Sequence, residues 1–210
     1  MGHSFTKDTF TDSEFALFRS RLQEQIQQLK QVIQEPGFSS QPASIGAELE
    51  VYLIDKQGLP TAQNIPLIEA MQHNQLVEEL NQYNLEYNLS PVLAAGKPFT
   101  AMQDELHSVL DKLQHHADEL DTRVVSIGIL PTITPIHLRK HFLTDLPRYR
   151  ALTNQLVNPD GEPFTIDING QDSIRMDVDE VTLEGANTSF QIHLRVPADR
   201  FAQLYNAAQL

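Results

Sequence analysis

The sequence predicts a mixed domain of class α+β, and three observations predict it. Residues 44–55 and 187–196 alternate apolar and polar side chains with period two, as half-buried strands do. Residues 11–35 and 100–120 instead repeat apolar residues three and four apart, the signature of amphipathic helices. Asn169-Gly170 stands between two short alternating runs, the strongest hairpin signal in the chain.

The bulk properties narrow the function classes. At 210 residues the chain suits one domain, or part of a larger one, with a substantial core. A formal charge of −13 with only 15 Lys and Arg argues against nucleic-acid and anionic-membrane partners, which need clustered cations. An acidic site can still take ATP when metal ions stand between the charges. The chain has no cysteine, which excludes disulfides, thiolate metal sites and a cysteine nucleophile. No secretory pattern and no apolar run of membrane-spanning length occurs, so a cytoplasmic protein is expected. "MGHSFT" fits a myristoylation pattern at Gly2, a match too short to weigh.

The elements follow in order. Thr11 and Glu14 form a capping box that opens a first helix, which Pro36-Gly37 closes, with an apolar stripe from Phe15 to Ile33. A Ser/Pro/Gln linker at 38–43 leads into "SIGAELEVYLID", where Ile45, Ala47, Leu49, Val51 and Leu53 take one face and Gly46, Glu48, Glu50 and Tyr52 the other. Two carboxylates roughly 7 Å apart on one strand face repel by about 2 kcal/mol at an effective dielectric near 20. A solvated face screens that repulsion; a cleft requires a divalent cation or a neighbouring Arg or Lys. Spacing alone leaves both open.

A shorter helix is expected over 66–80, and then "YNLEYNLSPV" as a strand that points Glu86 and Asn88 off one face. The next helix opens at Thr100 with Gln103 and buries Leu106, Val109, Leu113, Ala117 and Leu120; its His107, His115 and His116 read as solvated or capping residues. "RVVSIGILPTI" is nearly apolar and reads as a central strand. Residues 136–156 hold the densest basic cluster, Arg139, Lys140, Arg148 and Arg150, either a solvated surface or a contact for an anion. Asp177, Asp179, Glu180 and Glu184 read as a solvated acidic turn. In "NTSFQIHLRV", Phe190, Ile192, Leu194 and Val196 are placed to cover a core, and Gln191, His193 and Arg195 to present polar chemistry. The chain stops within an apolar, helical stretch, which reads as the front part of a longer protein. No P-loop, dinucleotide fingerprint, HExxH or nucleophile elbow is present.

Four motifs in order carry a resemblance. Gly46-x-Glu48-x-Glu50, "NLEYNLSPV", "RVVSIGILPT" and "GANTSFQIHLRV" together resemble the glutamate–cysteine ligase family, bacterial carboxylate–amine ligase branch, over about residues 44–210. The resemblance implies an antiparallel sheet curved into a funnel with helices on its outer face, the glutamine-synthetase-like catalytic fold. It divides the chain into a helix and linker at 1–43 and the N-terminal part of a catalytic domain at 44–210. It implies Mg²⁺ or Mn²⁺ on Glu48, Glu50, Glu86 and His193, with Gln191, Arg195 and Asn88 toward nucleotide or substrate. The implied reaction transfers phosphate from ATP to a substrate carboxylate, and an amine then displaces it to give an amide. The implied partners are small molecules, neither nucleic acid nor membrane, with a homo-oligomer left open. Two departures stand out: Glu86 lies five residues before Pro91 where the family usually has four, and Gln191 stands where many relatives have a first histidine. Arg195 fits an anion contact or a salt bridge to a strand acid equally well. The 210-residue chain by itself is expected to have little ligase activity. The alternative is a binding or regulatory module that keeps the sheet without turnover, which the Gln191 departure favours.

Overall fold

The structure, a computed structural model, describes residues 6–156, 163–178 and 180–210. Gly2, of the myristoylation pattern, and Asp179, of the acidic turn, lie outside these residues. The chain forms two compact units, one of Met1–Thr9, Glu48–Leu89 and Leu106–Gln191, the other of Phe10–Ala47, Ser90–Glu105 and Ile192–Leu210.

Mixed α and β elements alternate along the chain: α1 (Asp12–Val32), β1 (Ser44–Ile54), α2 (Asn64–Met71), β2 (Leu76–Glu78), β3 (Asn84–Asn88), β4 (Val92–Leu93), α3 (Pro98–Asp118), β5 (Arg123–Val125), α4 (Pro147–Leu156), β6 (Phe164–Asn169), β7 (Ser173–Val178), α5 (Thr182–Gly185), β8 (Phe190–Arg195) and α6 (Phe201–Ala208). Six strands form one sheet with the path β2-β3-β1-β4, and β5 and β8 also pair with β1. β1 pairs antiparallel with β3, β4 and β5, and β2 with β3. β6 and β7 form a separate hairpin in which Asn169 pairs with Ser173, so three residues rather than two make the turn.

The first unit is held by two apolar clusters and a buried polar frame. Tyr52 and Tyr83 stack with ring centroids 5.7 Å apart and pack with Leu130 against Ile54, Ile127 and Phe142. Both hydroxyls find acceptors: Tyr52 donates to the Ala186 carbonyl and Tyr83 to that of His137. A second cluster joins Leu143, Tyr149 and Val181 to Leu80 and Leu146. Between them, Asn64 Nδ2 donates to Thr144 Oγ1 (2.9 Å), whose hydroxyl donates to the Glu79 carbonyl (2.6 Å), and Asn81 Nδ2 donates to the Thr182 carbonyl (2.9 Å). These bonds give residues 79–81 a defined place, although the buried Asn81 Oδ1 has no hydrogen-bond partner among the described residues. α5 approaches that segment so closely that a Cβ on Gly185 would lie 2.7 Å from both Leu80 Cβ and Asn81 Nδ2.

In the second unit α1 begins as expected: the Glu14 N–H donates to Thr11 Oγ1 and the Thr11 N–H to Glu14 Oε2. None of its residues is buried, and Phe18 is 66% exposed.

Several expectations shift. The helix expected over 66–80 ends at Met71, because Gln72 turns left-handed (φ 46°) and residues 76–78 pair with β3 instead. α3 opens at Pro98, two residues before Thr100, since proline suits a first helical turn. Its Val109, Leu113 and Ala117 are buried as expected. The apolar run 123–133 gives only three paired residues, at the end of β1, so it is not a central strand. β8 forms, but Phe190, Ile192 and Leu194 are 47–55% exposed, so among the described residues its apolar face covers no core.

Candidate active site

Strand register brings the acids together. β1 and β3 set Glu48 opposite Asn88 and Glu50 opposite Glu86, and β2 sets Val77 beyond Glu86. Directly opposed residues share a face with Cα atoms about 4.5–5.5 Å apart, and like charges so placed destabilise a sheet. Glu79, the first residue after β2, falls on that face two positions after Val77, an acid that no sequence motif singled out.

A pocket of about 620 Å³ opens here, lined by Glu48, Glu78, Glu79, Glu86, Asn88 and Arg148 among others. Burial pushes the Glu86 carboxyl above its ordinary value; the Asn88 amide, donating to Oε1 at 2.8 Å, opposes this, while the charges of Glu48 and Glu50 add to it. Burial also pushes Glu79 up to about 7; the Leu80 N–H, donating to Oε2 at 3.0 Å, counteracts it, Glu86 and Glu50 reinforce it, and Arg148 counteracts it.

Arg148, from the first turn of α4, is the cation of the pocket lining. Its Nη2 donates to Glu78 Oε1 (2.9 Å) and to the Tyr149 hydroxyl (2.8 Å), and its guanidinium lies 4.6 Å from the Tyr149 ring centroid. Tyr149 donates in turn to the Glu78 carbonyl at 3.0 Å, and burial, then the Glu79 charge, raise its phenol above the ordinary value.

Glu50 has a different environment. Its carboxylate accepts from the Ser189 N–H (3.1 Å), the Ser189 hydroxyl (3.1 Å) and Gln191 Nε2 (3.2 Å), all from the segment that leads into and forms β8. Glu48, Glu50, Glu86, Asn88 and Gln191 thus all belong to the first unit. His193 and Arg195 belong to the second and are exposed; there a Cβ on Gly46 would lie 3.7 Å from that of His193.

Among the described residues no three His, Asp or Glu side chains converge as a ready-made metal cage. The donor set nonetheless fits Mg²⁺, a hard cation that keeps several waters and needs only one or two protein carboxylates beside substrate phosphates. Burial raises Glu79 and Glu86, the neighbouring acid charges add to the rise, and a cation there would favour their charged forms.

An antiparallel α+β domain with a carboxylate-lined pocket on its sheet is the class that fold and site define. Residues 44–204 match the model of Glutamate-cysteine ligase family 2 (GCS2). The chain belongs to that family, which supports a function of the glutamate–cysteine ligase kind. No curated protein and no solved structure matches the chain. No helix among the described residues is long and apolar enough to cross a membrane.

Proposed function

We propose that this chain contributes the acidic pocket of an ATP- and Mg²⁺-dependent carboxylate–amine ligase. The observation that carries the reading is the set of carboxylates, Glu48, Glu50 and Glu86 with Glu79 beside them, gathered on one sheet face within the span that matches the family. Glu48, Glu50 and Glu86 hold the cation. Bound there, Mg²⁺ (or Mn²⁺) supplies positive charge to offset the phosphates of ATP and the substrate carboxylate.

The residues around them position and insulate. Asn88 donates to Glu86 and fixes one of its oxygens. Arg148, Glu78 and Tyr149 form a wall whose hydrogen bonds and ring contact hold the guanidinium in place. Rigid strand positions suit this task, because phosphoryl transfer depends on fixed charges more than on covalent chemistry from the protein. In the overall reaction the γ-phosphoryl group moves to a carboxylate oxygen, giving an acyl phosphate and ADP. The amine nitrogen then attacks the carbonyl, loses a proton and displaces phosphate. The roles proposed for His193 with the metal and for Arg195 with an anion rest on the resemblance alone. Two small-molecule substrates, an amino-acid carboxylate and an amine, and a cytoplasmic setting complete the proposal.

The test is ADP release by the protein with glutamate and a panel of amines. ADP formation that requires both the acid and Mg²⁺, and that fails in Glu86→Gln, supports the reading. Nucleotide binding without turnover by the protein under every combination would replace it with the non-catalytic alternative.

A further inference from the structure

We propose that Ser189 and Gln191 are positioning residues that fix the Glu50 carboxylate for a divalent cation, an inference that rests on the metal-dependent reading above. Glu50 projects from the middle of β1, and its backbone N–H donates to the Ser189 carbonyl at 3.0 Å. Ser189 then turns both of its donors onto the side chain, the N–H to Oε2 and the hydroxyl to Oε1, each at 3.1 Å. Gln191 Nε2 reaches Oε1 at 3.2 Å.

A carboxylate has about four lone-pair sites, and three are taken here, two on Oε1 and one on Oε2. One site on Oε2 remains, in a rotamer held from the neighbouring strand at two positions. A ligand whose orientation is set before the cation arrives binds it more tightly, and loss of such supporting hydrogen bonds typically weakens metal affinity about 10- to 100-fold. The geometry also gives the Gln191 amide a task. Its Nε2 donates one of its two N–H groups to Glu50, so the side chain acts through Glu50 in addition to the nucleotide contact that the resemblance implies for it.

The experiment titrates Mn²⁺ into the protein, without and then with a non-hydrolysable ATP analogue, following free Mn²⁺ by electron paramagnetic resonance. Wild type is compared with Gln191→Ala, Ser189→Ala and Gln191→His, and circular dichroism monitors folding. The expected result is about a 10-fold weaker Kd in Gln191→Ala, a smaller loss in Ser189→Ala, which keeps its N–H donor, and partial recovery in Gln191→His, which restores a ring N–H. If Gln191→Ala is unfolded, Ser189→Ala decides. Folded variants with wild-type Mn²⁺ affinity overturn the proposal, including the case where only the melting temperature falls and the clamp merely joins strands. Wild type that binds no Mn²⁺ either alone or with the ATP analogue removes the metal-dependent reading itself, and the proposal with it.

Discussion

Replacing Glu79 with Gln should flatten the pH dependence of stability between about pH 5 and pH 8. In the folded protein the Glu79 carboxyl titrates near 7, against 4.5 for the ordinary group, with burial as the largest cause. A carboxyl with a raised folded value binds its proton more tightly in the native state than in the unfolded one. The native state therefore loses stability as pH rises from the unfolded value through the folded one, and the loss is complete above about pH 8. At 1.36 kcal/mol for each tenfold change in proton affinity, the displacement amounts to about 3 kcal/mol as an upper bound. Gln cannot ionise and can keep the bond from the Leu80 N–H. Urea denaturation at pH 5 and pH 8, without metal, measures the difference. The wild type should lose about 2–3 kcal/mol more than Glu79→Gln over that interval. Equal losses in the two proteins would show that Glu79 ionises freely and would refute the account of a carboxyl held up chiefly by burial.

Three further outcomes follow from the same structure. Arg148→Met should raise the Glu79 carboxyl further, seen by carbon NMR titration, because Arg148 opposes the rise; its partly exposed pair with Glu78 contributes only about 1 kcal/mol to stability. Gly185→Ala should destabilise by about 1–3 kcal/mol in urea, since its Cβ would press on Leu80 and the buried Asn81 amide at 2.7 Å. Phe18→Ser should change monomer stability by less than about 0.5 kcal/mol, because the side chain is 66% exposed; a large loss in thermal denaturation would mean that the stripe of α1 is covered.

The strongest local patterns translated directly into structure. The capping box at Thr11 and Glu14, the alternation around Glu48 and Glu50, and the strand at 190–195 each depend on neighbours close in sequence, and each appears where expected. Residues whose place is set by distant partners were harder to read. Glu79 lies just past a three-residue strand, too short to show a period, in a segment whose spacing suits a helix; only pairing with β3 and the hydrogen bond from Thr144 to its carbonyl place it by the pocket. Arg148 read as one cation of a basic cluster, and its pairing with Glu78 depends on a contact across 70 residues. The one local hint was the Glu78-Glu79 pair directly after the β-branched Val77, a pattern that favours a strand end over a helix interior. The clamp on Glu50 was legible only in part: the polar face of β8 was plain, but not which of its members would turn toward β1.

The most direct test of the central claim is anomalous diffraction from crystals of the protein soaked with Mn²⁺ and a non-hydrolysable ATP analogue. The account predicts a Mn²⁺ peak bonded, at roughly the 2.1 Å typical of Mg²⁺-like coordination, to oxygens of at least two of Glu48, Glu50 and Glu86, with analogue phosphates on its other side. Ordered nucleotide with its metal elsewhere, and these three carboxylates left without a cation, would contradict it.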